Sequence, residues 1–419
     1  MKLRVSSIFV LVLISFLIVG CSSKESSGSN DGKESIEWWI PNWDEDAAEE
    51  LVEEFEEENP DIEINLSILT WETMENKIRV ALETGEAPDI ITELESRIEN
   101  YASKGFLTEL DDYYENDLDI DDFISSSLDI NTYEEKLYGL PFRHDGAGVL
   151  YNKNMFEEAG LDPENFPETR DEYIKAAEKL TKDTDGDGEN DQYGLALPLG
   201  NQENAAVRYL QLLYNLDGEL LNEDRTESAL DSPEALKAMQ ELVNEVENYA
   251  PKSTMELDND SLRDLFINEK IAMYIGGQFD IEPIEEGNPS IDLGTALIPG
   301  FDGVGTTTVD GFSMIMPEHG KNKEEAWRLM KFVAEPENMA KITETFPATN
   351  SALEEPEFEE PLLKPFAEQL ESGEPKPAFK EFPEITKILF RYMQLIILED
   401  MDEQEAMKNI HKEVNDLLE

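Results

Sequence analysis

The chain has one cysteine, three histidines and few cations. Its 33 Lys and Arg stand against 96 Asp and Glu, a formal net charge of −63 over 419 residues. Each scarcity excludes something. A single cysteine leaves no internal disulfide framework and no Cys-rich metal site. A surface this negative repels phosphate backbones, which excludes nucleic acid as a partner. Three isolated histidines are a poor basis for a metal centre. Long apolar runs are missing too, apart from Ile8 to Val19, which Ser15 interrupts. That run falls short of the ~20 residues a membrane-spanning helix needs.

What is present argues for a folded body. Hydrophobic residues make up 40% of the chain and recur at regular spacings, which an acidic disordered chain lacks. At roughly 150 residues per domain, the length allows two or three domains with sizeable cores. The acids are spread along almost every predicted helix rather than gathered on one face. That distribution reads as adaptation to a saline or alkaline exterior, where screening relieves self-repulsion.

The first residues read as an address. Lys2 and Arg4 precede the apolar run, which ends in Ile18-Val19-Gly20-Cys21 and resembles a bacterial lipobox. Residues 1–20 are thus expected to be a signal peptide and Cys21 the lipidated residue. Residues 21–35, rich in Ser, Gly and Lys/Asp, form a flexible tether. The expected location is the outer face of the cytoplasmic membrane, held there by lipid alone.

The body opens as strand Ile36–Ile40, then a helix with Ala48, Leu51, Val52 and Phe55 on one face. Asn59-Pro60 stops that helix and Ile62–Leu66 alternates as a second strand. A helix over about 73–84 leads to a third strand at Asp89-Ile90-Ile91. Strand, helix, strand, helix, strand implies an α/β fold with a parallel sheet, whose ligands sit beyond the carboxyl ends of the strands. Those ends are Asn42-Trp43 and Thr92-Glu93. Extended segments 137–142 and 148–152 flank Arg143-His144-Asp145. Residues 155–275 are mostly helical, strands follow at 271–275, 295–298 and 312–316, and helices at about 384–398 and 403–418 end the chain.

Five strings in this order resemble family 1 extracellular solute-binding proteins, the sugar-binding lipoproteins and periplasmic proteins of ABC importers. They are Phe55-Glu56-Glu57-Glu58-Asn59-Pro60-Asp61-Ile62; Gly85-Glu86-Ala87-Pro88-Asp89-Ile90; Tyr138-Gly139-Leu140-Pro141-Phe142 with Leu150-Tyr151-Asn152-Lys153; Ala272-Met273 with Gly276-Gly277; and Asn322-Lys323-Glu324-Glu325-Ala326-Trp327 with Phe332-Val333. Each is weak alone; in register they cover about 36–419. The resemblance implies a two-lobed periplasmic-binding-protein-like (type II) fold, with lobes at 36–143 plus 294–342 and 144–293 plus 343–419 closing as a hinge. It also implies a monomer with a carbohydrate ligand and a permease partner, needing no cofactor.

A sugar needs carboxylates or amides for its hydroxyls and aromatic faces for its C–H surface. The resemblance points to Asn42, Trp43, Glu93, Arg143, His144, Asp145, Gly276, Gly277, Phe279 and Phe382 as ligand contacts. Phe279 stands where maltose binders of the family carry a stacking Trp, which puts a maltose-like specificity in doubt. Trp38, Trp39, Trp71 and Trp327 read as structural. Separately, Asp183, Asp185, Asp187, Glu189 and Asp191 follow the start of an EF-hand loop, a candidate site for structural calcium. Position 12 is Gly194 rather than the bidentate Glu, so affinity would be weak; an Asp/Gly turn is the competing reading.

The rival function is a secreted glycoside hydrolase using a carboxylate pair, with Glu93 and Asp145 as the pair to inspect. A binder of polyamine, phosphodiester or polyuronate is a third; an acid-lined cleft disfavours anions and a basic lining favours them. The address is testable by itself. Replacing Cys21 with Ser should move the protein from the membrane fraction to the soluble fraction and abolish labelling by a lipid precursor.

Overall fold

A computed structural model describes residues 33–419 apart from 115, 116, 344 and 371; the signal segment, Cys21 and most of the tether lie outside the described residues. Its principal strands are β1 (Glu34–Pro41), β2 (Ile62–Leu69), β3 (Ile90–Leu94), β4 (Gly139–Asp145), β5 (Gly148–Asn152), β6 (Tyr193–Leu195), β7 (Ile271–Gly276), β8 (Leu293–Ala296), β9 (Thr308–Ile315) and β10 (Glu374–Pro375). The helices that matter below are α1 (Glu45–Glu58), α2 (Trp71–Thr84), α3 (Arg170–Leu180), α4 (Gln202–Tyr214), α5 (Pro233–Tyr249), α6 (Asn259–Ile267), α7 (Lys323–Val333), α8 (Phe382–Glu399) and α9 (Glu403–Leu418).

The first sheet runs β10-β9-β3-β1-β2, with β4 also paired to β9. β1 pairs in parallel with β2 and with β3, as the alternating strands and helices imply. β9 then enters antiparallel between β3 and β4, so the sheet is mixed. Helices cover both faces. Trp38 and Trp39, adjacent on β1 and facing opposite ways, are therefore both buried in one core. That core gathers residues between 36 and 142 with residues between 312 and 352. Trp327 is buried in it and donates from Nε1 to Asp117.

The second sheet runs β8-β5-β7-β6, antiparallel except for β6 against β7. It carries its own core, built from residues between 149 and 298 and from α8 and α9. In α5, Pro233 occupies the first turn and Ser232 accepts from the Ala235 amide, a start that suits Pro's missing N–H. No helix among the described residues is long and apolar enough to cross a membrane.

Two local expectations change. Arg143-His144-Asp145 do not connect two extended segments; they are the last residues of β4, paired with Phe312, Gly311 and Asp310. The strand expected at 295–298 is β8, two residues earlier, because Gly294 and Thr295 pair with Tyr151 and Leu150.

The missing position-12 glutamate of the acidic loop has a packing cause. Gly194 is in β6, where an added Cβ would lie 2.3 Å from the Ala177 carbonyl oxygen of α3 and 2.5 Å from its Cα. Only glycine lets strand and helix backbones approach that closely. Gly194→Ala is expected to destabilise the protein by about 1–3 kcal/mol, read as a lower urea midpoint in a circular-dichroism titration.

Candidate ligand-binding site

A cavity of about 300 Å³ opens between the two cores. The first sheet contributes Leu94, Asp145, Asp310, Gly311 and Phe312; the second lobe contributes Arg208, Gly276, Gly277, Phe279 and Asp280. Four of the residues anticipated from sequence therefore line it: Asp145, Gly276, Gly277 and Phe279. Phe279 is 45% exposed, an unusual state for a large apolar ring and one that leaves a face for a ligand. The two glycines are there for space. A Cβ on Gly277 would lie 2.1 Å from the Phe279 ring, and one on Gly276 would lie 2.7 Å from Asp280 Oδ2.

Each cavity carboxylate has a cation beside it. Asp145 accepts from Arg143 Nε at 2.7 Å and from Gln278 Nε2 at 3.1 Å. Asp280 accepts from Arg263 Nη1 of α6 at 2.9 Å; burial pushes its carboxyl up and Arg263 opposes that rise. Asp310 accepts from Ser96 Oγ at 2.7 Å and from Lys376 Nζ at 3.1 Å. Lys376 also meets Glu203 of α4. Burial works against the Lys376 charge, but Asp310 and Glu203 outweigh it and hold its pKa above the usual lysine value.

The other anticipated residues lie off this cavity. Glu93 is fully buried because its β3 neighbour Leu94 takes the cavity-facing position and alternate residues face opposite ways. Glu93 accepts from the Leu94 amide at 2.9 Å, from Arg97 at 3.1 Å and from Tyr101 at 3.2 Å. His144 is buried too, with Nδ1 3.2 Å from Glu95 and Nε2 3.0 Å from Ser126 Oγ. Arg143 acts through Asp145. Asn42 is exposed at the end of β1, while Trp43 sets its edge against Phe312, whose ring lines the cavity, with centroids 5.6 Å apart. Phe382 is packed in the second core against Phe379, which lines a neighbouring groove.

That groove, about 760 Å³, shares Lys376 with the first cavity and includes Glu99, Tyr214, Arg225 and Phe379. Arg225 donates to both Glu99 oxygens, at 3.0 and 2.9 Å, and so ties the two lobes across it. Sequence reasoning missed Asp280, Asp310, Phe312, Lys376 and Arg208. Asp280 follows Phe279 directly and Asp310 pairs with Asp145; only the first was within reach of the chain order.

In the acidic loop the structure brings three of five residues together. The carboxylates of Asp183, Asp185 and Asp187 lie within 4.8 Å of one another, all exposed. The Asp191 carboxylate instead accepts from Thr184 Oγ1 at 2.7 Å, and Glu189 is outside the group. Asp183 accepts from the Gly186 and Gly188 amides, which hold its pKa low. These donors suit a hard cation in kind, but three carboxylates without a bidentate closure fall short of the roughly six to eight oxygens calcium takes.

Glu93 and Glu95 bear on stability. Burial raises both carboxyls above the ordinary value of 4.5; Arg97 opposes this for Glu93 and His144 for Glu95. The folded protein therefore holds these protons more tightly than the unfolded chain. Their contribution is fully present below pH 4.5 and is lost as pH rises through the raised folded values, at up to about 1.4 kcal/mol per pH unit per proton. Glu95→Gln should gain stability relative to the wild type as pH rises above 4.5, seen in paired denaturant midpoints; a difference constant with pH contradicts this.

Comparison with known proteins agrees with this architecture. Residues 42–340 match the model of the bacterial extracellular solute-binding protein family. A putative binding protein of Brucella abortus is 30% identical over 298 residues, covering 71% of this chain and 70% of the relative. The multiple sugar-binding protein of Streptococcus mutans is 24% identical over 366 residues, covering 81% and 80%. A solute-binding protein of an ABC transporter from Thermotoga lettingae, solved with alpha-D-tagatose, superposes with a TM-score of 0.79 at 26% identity, covering 92% of this chain and 100% of that one. With the family model matched over residues 42–340 and a relative 30% identical over 71% of this chain, the chain belongs to the bacterial extracellular solute-binding protein family.

Proposed function

We propose that the protein captures a carbohydrate, an oligosaccharide in particular, between two closing lobes and delivers it unchanged to an ABC transporter permease. The observation that carries this is the cavity between the cores, where an exposed Phe279 ring meets three carboxylates already held by cations. A ring face takes the C–H surface of a sugar, and oriented carboxylates accept from its hydroxyls. The groove beyond Lys376 gives room for further sugar units.

The lobes in this reading are 36–143 plus 294–342 and 144–293 plus 343–419; most residues of each core fall within one of them, while Ala348 and Ala352 pack in the first core and Ile298 in the second. The protein works as a monomer on the outer face of the cytoplasmic membrane, anchored through Cys21. Its surplus of carboxylates suits a saline or alkaline exterior. Calcium, if used, is structural and sits at Asp183, Asp185 and Asp187.

Hydrolysis finds no support in the carboxylates. Glu93 is buried away from Asp145, and the cavity acids are each committed to a cation, whereas a glycosidase needs one free acid and one free base or nucleophile. A thermal-shift screen against mono- and oligosaccharides should find a ligand that raises the melting temperature, since binding only the folded state stabilises it by mass action. Phe279→Ala should weaken that ligand about tenfold, the scale of one lost aromatic contact. Chromatography of the sugar after incubation should show it intact; cleavage products would sink the proposal.

A further inference from the structure

Arg208 differs from Arg170, which is also buried, and from the partly exposed Arg263. Arg170 closes on Glu245 at 2.6 Å and Arg263 on Asp280 at 2.9 Å. Arg208, on α4 and only 9% exposed, donates to the side chain of Gln211 and the carbonyl of Ile275, both neutral. No carboxylate stands within ion-pair distance of it among the described residues. Burial of an uncompensated guanidinium is costly, and such groups are ordinarily paired. This one lines the ligand cavity.

The surrounding charges sharpen the point. Asp145, Asp280 and Asp310 are each held by a cation, and Lys376 is shared between Asp310 and Glu203. Arg143, Arg263, Lys376 and Arg208 thus balance Asp145, Asp280, Asp310 and Glu203 four to four, and Arg208 is the one of these cations that touches no carboxylate among the described residues. Burial lowers its pKa to about 10, whereas carboxylate partners raise those of Arg170 and Arg263.

Resting on the sugar-binding reading above, we propose that Arg208 selects a carbohydrate bearing a carboxylate, a uronic acid residue, whose anionic group docks on the guanidinium inside the cavity. The planar guanidinium presents parallel N–H donors that match two carboxylate oxygens, a geometry no hydroxyl reproduces. The rest of the ligand uses the Phe279 face and the groove beyond Lys376.

The test is calorimetric titration of the protein with uronic-acid oligosaccharides and with their carboxyl-reduced neutral counterparts, matched in length and linkage. It is run at 0.15 M salt or above so that long-range repulsion is screened. We expect at least one acidic ligand to bind about tenfold or more tightly than its reduced twin, the scale of a hydrogen-bonded charge pair. Arg208→Gln should collapse that ratio to within about twofold, and Arg208→Lys, which keeps the charge without the fork, should retain part of it. Comparison within the wild type holds even if a variant fails to fold. Equal or tighter binding of the reduced sugars overturns the inference and leaves the sugar reading standing. An undiminished acid preference in Arg208→Gln also overturns it. No binding in either series overturns both.

Discussion

The pairing of β9 between β3 and β4 is the constraint on which the site depends. β9 follows β3 by more than two hundred residues in the chain, yet Ser313 lies opposite Glu93 and Asp310 opposite Asp145. This long-range closure places Asp310, Gly311 and Phe312 on the cavity wall beside Asp145. The start of the same strand pairs with Glu374 and Pro375, which brings in Lys376. Gly311 shows how tight the fit is: a Cβ there would lie 2.0 Å from the Arg143 carbonyl oxygen. One strand thus gathers residues from three stretches of chain, and the cavity has no floor without it.

Charge management is the second theme. A protein carrying −63 would be expected to expose an acidic cleft, but each aspartate lining the cavity has a cation beside it. Those cations are Arg143, Arg263 and Lys376, and Arg225 meets Glu99 across the groove. Pairs such as Arg79–Glu83 on the exposed surface contribute little to stability. Those at the cavity matter more, because low dielectric strengthens both the attraction and the penalty for leaving a charge alone.

Behind the cavity lies a polar layer that ligand-based reasoning did not anticipate. Glu95 accepts from Ser127 at 2.6 Å and Asn131 at 3.0 Å, and touches His144 at 3.2 Å. Each of these side chains is buried. The cluster fixes the end of β3 and the end of β4 relative to one another, so His144 orients the wall rather than meeting the ligand. A lone histidine beside an aspartate looks identical in sequence whether it faces a ligand or a buried glutamate.

Much was legible in the chain itself. Periodicity located α1 and α9 within a few residues, and the alternation of strand and helix implied the parallel β1–β2–β3 arrangement, because these patterns are local and set by which face must be buried. The Gly276-Gly277-Phe279 string marked one wall of the cavity. Three-dimensional closure decided the rest. It chose Leu94 over Glu93 for the cavity, since a one-residue step along a strand reverses the side chain. It joined Asp310 to Asp145 and Lys376 to Asp310, and it left Arg208 without a carboxylate. Sequence states which residues are charged; which of them meet depends on pairings across hundreds of residues, and no local pattern encodes those.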